Sequence, residues 1–234
     1  MTSPDGKPAA RAHGVRLGHV WDAPTRVMHW LLAIFIALCW WTGMHDELDY
    51  HLYSGYAVLW VVLMRLYWGV IGSSTARFVN FVRGPRAIMS YASKLHKRSS
   101  PHVHGHNPLG AISVLLLLGF VIAVVALGLF AVDVDGLDSG PLSGFVSFNT
   151  GRHLAHLHYQ VWNYLLALIC LHVLAVLFYY FYKRQDLVFP MITGKHRGEA
   201  MVDVELHVAP VWRLAAGAVI VSVIVWLITT GFNF

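Results

Sequence analysis

Charge is what this sequence has least of. Only 12% of its 234 residues are Asp, Glu, Lys or Arg and 57% are hydrophobic, against roughly 25% charged in an ordinary water-soluble domain. A chain so composed cannot keep most of its surface in water, which excludes a soluble globular enzyme. Cysteine is nearly absent too. Cys39 and Cys170 both fall inside apolar stretches, and no Cys-x-x-Cys-His occurs. That excludes haem attached covalently through that motif, and any cysteine-rich zinc or iron–sulfur centre. The two thiols are read as packing residues. A leading apolar core is missing as well: the first twenty residues are polar, with Lys7, Arg11 and Arg16. No cleavable signal peptide is expected, and the first apolar stretch would direct insertion.

What is present is a set of five apolar stretches: Val27 to Met44, Tyr53 to Gly72, Pro108 to Val132, Val161 to Tyr182 and Val211 to Phe232. Each is about long enough to cross a bilayer as a helix. The fold expected is an all-α membrane protein, an up-and-down four-helix transmembrane bundle with a fifth, C-terminal transmembrane helix. The divisions expected are a polar segment over 1–20, a bundle domain over 21–198, and a linker with the fifth helix over 199–234. No internal repeat is apparent. The stretch Ser73 to Asn107, broken by Gly84-Pro85 and Ser99-Ser100-Pro101, is expected to lie along the cytoplasmic surface. Asp133 to Gly140 begins Asp-x-Asp-Gly but lacks the other ligands of a calcium loop, and is read as an acidic turn.

Basic residues give the orientation, because Lys and Arg near span ends stay on the cytoplasmic side. With the N-terminus inside, nearly all of them fall inside, including Arg77, Arg83, Arg86, Lys94, Lys183, Arg184 and Lys195; Arg152 is left outside. The outer loops carry Asp46, Glu47 and Asp49, then Asp133, Asp135 and Asp138. A multi-pass membrane protein with a cytoplasmic N-terminus is expected. The net charge of +5 needs no nucleic acid, since a basic face against anionic lipid accounts for it.

Fifteen histidines are sorted by depth, because ionisable groups inside spans are expensive and mark function by default. His29, His51, His158 and His172 pass this filter. His158 and His172 are fourteen residues apart, 40° short of four full helical turns, so they share a face at levels about 21 Å apart. Helices 1 and 2 run oppositely, which puts His29 at the inner level and His51 at the outer. Pairing by depth joins His29 with His172 and His51 with His158. Two imidazoles per level suit two six-coordinate haems, whereas zinc or copper would want further ligands. A hydrogen bond between helices would account for any one of these histidines; four matched in depth and face call for more. His153 and His156 compete with His158, and His45 with His51, but helical rotation turns each away. His106, at the start of helix 3, is read as a helix-entry residue with a quinone hydrogen bond as the rival reading.

Arg65 lies fourteen residues after His51, on nearly the same face at the inner level. A buried guanidinium needs an anion, so it is expected to pair with an inner-haem propionate; snorkelling to headgroups is the competing reading. Arg26, three residues before His29, is a second candidate, with a lipid phosphate as its rival partner. Gly43, Gly55 and Gly69 fall on the histidine faces and suit either haem clearance or close helix packing. Trp40, Trp41, Tyr67, Trp68 and Trp162 are read as interfacial residues.

Taken together the chain resembles the bacterial cytochrome b561 and nickel–iron hydrogenase b-type cytochromes. The resemblance covers about residues 20 to 198. It rests on Val20-Trp21-Asp22-Ala23-Pro24-Thr25-Arg26 with His29-Trp30, on His51 with Gly55-Tyr56, and on Arg65 with Trp68-Gly69. Gly105-His106-Asn107-Pro108-Leu109-Gly110, the His158 to His172 spacing and Met191-Ile192-Thr193-Gly194-Lys195 complete it. It implies a four-helix core with two haems b, linking quinone as exchangeable substrate to a periplasmic redox protein or further subunit. The fifth helix departs from shorter relatives and suits a subunit contact, a homodimer contact or an anchor. Two other functions compete: a stand-alone oxidoreductase acting on a small substrate such as superoxide, and a metal or haem transporter.

Overall fold

The computed structural model describes residues 17–97, 107–135, 139–197 and 207–232. Among the described residues, five helices are long and apolar enough to cross a membrane: α1 (Ala23–Met44), α2 (Leu48–Ile71), α5 (Pro108–Leu129), α6 (Phe148–Phe181) and α8 (Val211–Thr229). Between them stand the short helices α3 (Phe78–Phe81), α4 (Pro85–Ala92) and α7 (Val188–Thr193). The expected all-α membrane bundle with a fifth spanning helix is what forms.

Helix starts are set by side chains that satisfy the free N–H groups of the first turn. Asp22 caps α1 by accepting from Thr25 N at 3.1 Å, and Asn107 caps α5 by accepting from Gly110 N at 2.8 Å. Pro24 and Pro108 occupy the first turns, where no N–H is needed. Ser147 caps α6 at Thr150 N, so this helix begins well before Val161, where the sequence reading starts the span. Its 34 residues reach about 51 Å, beyond the roughly 30 Å hydrocarbon thickness. The surplus lies in the turns that carry Asn149, Arg152, His153 and His156.

Helix α2 is the centre of the packing and touches α1, α5 and α8, while α5 and α6 form a second pair. On one side of α2, Val61, Met64 and Trp68 join Met28 of α1 and Val221 of α8. On the other, Val58 and Val62 meet Leu118 and Val121 of α5 and Leu165 of α6. With lipid outside, such faces are held by close packing more than by escape from water. The fifth helix is fixed to α2: Gly217 backs onto the Tyr67 ring, Tyr67 donates its hydroxyl to Arg213 O at 2.9 Å, and Trp60 Nε1 donates to Ser222 Oγ at 3.0 Å.

Besides the early start of α6, three features differ from the sequence reading. Trp68 is not interfacial; it is 1% exposed in the bundle core. Ser73 to Asn107 does more than follow a surface, because Phe78 inserts its ring against Gly69 and under the Arg65 guanidinium. A small sheet also forms, in which β1 (Leu17–His19) pairs antiparallel with β2 (Lys195–Arg197). It ties the entry of α1 to the segment after α6. His106 and part of the Asp133 to Gly140 turn lie outside the described residues.

Candidate functional site

The bundle brings the four intramembrane histidines together in two pairs. Nearer the end where α1 begins, the His29 and His172 rings are 6.5 Å apart between centroids. Toward the α1–α2 and α5–α6 turns, the His51 and His158 rings are 6.0 Å apart. The rivals are elsewhere: His45 is exposed and stacks on Trp41, His153 is exposed, and exposed His156 pairs with Gln160.

The two pairs are held differently. His51 Nδ1 lies 2.9 Å from Cys39 O and His158 Nδ1 lies 2.8 Å from Val124 O. A carbonyl oxygen can only accept, so both rings carry the proton on Nδ1 and present a lone pair on Nε2. His29 Nδ1 is instead buried without a hydrogen-bond partner.

The two arginines singled out for the His29/His172 level are both in place, and the buried Asp22 carboxylate lies in the field of Arg65. Arg65 is 6% exposed, its guanidinium carbon stands 4.7 Å from the Phe78 ring centroid, and its Nη1 has no hydrogen-bond partner. Arg26 Nη1 donates to Ile192 O at 2.5 Å, and its Nε is buried without a partner. Arg26 thus bonds the backbone after α6, where the sequence left it open to a lipid phosphate. Trp30 Nε1 donates to Met191 O, and Val20 N donates to Gly194 O. These bonds join the Val20 to Trp30 and Met191 to Lys195 motifs, far apart in sequence, at one corner.

Two glycines singled out by position have side-chain neighbours: a Cβ on Gly43 would stand 3.1 Å from His51 Nδ1, and one on Gly69 would strike Phe78. A Cβ on Gly55 meets nothing within 4 Å. Sequence reasoning missed Gly128, whose Cβ would stand 3.0 Å from His158 Cε1. It also missed Asp22 as the acceptor for Trp68, and Phe78. Only Asp22 carried a local signal, as a cap residue before an apolar run.

A helical membrane bundle that carries half-buried imidazoles in facing pairs defines a class, the membrane cytochromes of b type. The family model for prokaryotic cytochrome b561 matches residues 20–194, and the chain belongs to that family. It is similar to the probable Ni/Fe-hydrogenase B-type cytochrome subunit of Azotobacter chroococcum mcd 1, at 27% identity over 75% of this chain and 87% of that protein. The subunit of the same description from Azotobacter vinelandii is 26% identical over the same shares. No solved structure matches the chain. The protein is a membrane b-type cytochrome, which carries haem b and transfers electrons.

Proposed function

We propose that the chain holds two haems b, one between His29 and His172 and one between His51 and His158, and passes electrons between quinone and a redox partner at the His51/His158 end. The observation that carries this reading is the separation of the paired rings. A metal–imidazole bond is about 2 Å and the ring centre lies roughly 1 Å behind the ligating nitrogen, so two imidazoles across one metal stand about 6 Å apart. The separations of 6.5 and 6.0 Å fit that arrangement at both levels.

Other groups on the chain suit the same cofactor. The Nδ1 bonds of His51 and His158 leave Nε2 free to ligate, which is how ligating imidazoles are oriented. The free Nη1 of buried Arg65 suits a propionate at the His29/His172 level. Arg26 Nε, also unpartnered, suits the second carboxylate or the same one. When bound, haem with two imidazole ligands supplies one-electron transfer with no open site for oxygen. The chain's part is to set the two irons at separate depths, exclude water from them and tune them.

The partner and location are argued from charge and kinship. Lys and Arg cluster at the α1-start end, which suits a cytoplasmic N-terminus in the bacterial inner membrane. Quinone is the electron carrier that shares the lipid phase with such a bundle. The Azotobacter relatives are described as hydrogenase cytochrome subunits, which favours an enzyme subunit docked on the periplasmic side as the other redox partner.

The test is to purify the protein in detergent and measure haem per chain with oxidised, reduced and pyridine-haemochrome spectra, for wild type, His158→Ala and His172→Ala. Two low-spin b haems per chain are expected, with each substitution removing a different one. A wild-type chain with one haem, or two substitutions that remove the same haem, would overturn the pairing.

A further inference from the structure

Both histidines of the His51/His158 pair are hydrogen-bonded at Nδ1 to a helix carbonyl that lies one turn before a glycine. Gly43 is near the end of α1 and Gly128 near the end of α5. Each stands four residues after the carbonyl that a histidine from the next long helix reaches: Cys39 O for His51 and Val124 O for His158. In a helix the residue at i+4 donates its own N–H to that carbonyl, and its Cβ flanks the approach to the oxygen's second lone pair. A Cβ at Gly43 would lie 3.1 Å from His51 Nδ1 and 3.3 Å from its Cε1. One at Gly128 would lie 3.0 Å from His158 Cε1 and 3.1 Å from its Nδ1. Those separations are tighter than a methyl group tolerates beside an imidazole, so an alanine at either place displaces the ring by a few tenths of an ångström. The α1–α2 and α5–α6 hairpins share no evident sequence repeat, yet each carries the same three parts. At the other level no such bond exists for His29, whose Nδ1 is buried and unpartnered.

We propose that Gly43 and Gly128 are positioning residues that open the Cys39 and Val124 carbonyls to His51 and His158, and so strengthen the two imidazoles as donors at that level alone. The inference rests on the haem ligation proposed above. A ligating imidazole whose Nδ1–H is hydrogen-bonded is a more basic ligand, and a more basic axial ligand favours the ferric state and lowers the reduction potential. Alanine at either glycine lengthens or tilts the bond and moves the potential the other way. The effect belongs to the His51/His158 level, although Gly43 and Gly128 come from different hairpins.

The test is a potentiometric titration of purified wild type, Gly43→Ala, Gly128→Ala and, as control, Gly119→Ala. Gly119 is nine residues from Gly128, hence on the opposite face of α5, is exposed, and has nothing within 4 Å of its Cβ. His158→Ala first identifies which redox component belongs to the His51/His158 level. Both glycine variants are expected to shift that component to higher potential and change its low-spin electron paramagnetic resonance signal. The other component, and both components of Gly119→Ala, are expected to stay at their wild-type positions. If an alanine releases haem, loss of this one haem with the other retained, in protein of wild-type yield and helicity, supports the device. Unshifted components, equal shifts of both, or loss of the other haem would overturn it. Wild-type protein without haem is recognisable before any glycine is changed, and that result removes the ligation reading itself.

Discussion

Trp68 of α2 donates its indole N–H to the Asp22 carboxylate at 2.7 Å, across 46 residues of sequence and in the least exposed part of the bundle. The same carboxylate caps α1 through Thr25 N. One side chain therefore starts the first helix and clamps it to the central one, beside Arg65.

Asp22→Ala removes both bonds. Loss of the cap costs about 1 kcal/mol, and a buried indole N–H left unpaired costs about 1–3 kcal/mol. The variant is expected to melt well below wild type in detergent, and Trp68→Phe by a smaller margin. In the double-mutant cycle the two changes should be less than additive by about 1–2 kcal/mol. Strict additivity would mean that the bond contributes nothing.

Arg65→Met tests the electrostatics of this corner. The substitution removes a buried guanidinium that sits in the field of the buried Asp22 carboxylate, so a lowered melting temperature is expected from the carboxylate left without its cation. Under the proposed ligation a cation near the His29/His172 level favours the reduced haem, and its removal lowers that potential. At roughly 10 Å and an effective dielectric of about 20 the interaction is about 1–2 kcal/mol, or several tens of millivolts for one electron. Redox titration of Arg65→Met and Arg65→Lys reads this directly. A lysine variant near wild type beside an unshifted methionine variant would rule out the charge effect.

The sequence makes the spans and the histidine spacing legible, because both follow from local rules: apolar length for one, 100° per residue for the other. The start of α6 is not, since its first turns carry Asn149, Arg152, His153 and His156 and so resemble a loop in hydropathy. Trp68 reads as interfacial for a related reason. Tryptophan near a span end suits a headgroup, and only the fold reveals that Asp22 is waiting for its N–H. The pairing of Leu17–His19 with Lys195–Arg197 leaves no local trace, because three-residue strands so far apart have no hairpin turn between them. Gly128 is equally silent: nothing in an apolar helix marks the glycine that faces an imidazole.

Gly194 closes the corner where those strands meet. Its φ is +79°, a left-handed cap that ends α7, and a Cβ there would stand 2.8 Å from Trp21 O. Gly194→Ala adds roughly 1–2 kcal/mol of backbone strain and pushes on the Val20 N to Gly194 O bond. A lowered melting temperature is expected, with Gly194→Asn between it and wild type because asparagine tolerates this conformation better. Equal stability of all three would show that the corner is not under conformational constraint.

The last prediction concerns whether the fifth helix is part of the redox core or a brace behind it. Helix α8 meets α2 through Gly217 against Tyr67 and Ser222 against Trp60, on the side of α2 that carries Val61, Met64 and Trp68. The α5–α6 pair occupies the side with Val58 and Val62. A leucine at 217 overpacks the Tyr67 ring, and such insertions cost about 1–3 kcal/mol. Gly217→Leu is therefore expected to lower the melting temperature while haem stoichiometry, spectra and both potentials stay at wild-type values. Tyr67→Phe, which gives up one hydrogen bond to Arg213 O, should do the same by about 1 kcal/mol. A brace transmits stability without chemistry, so a shift of either potential in both variants would contradict this reading and make α8 part of the haem environment.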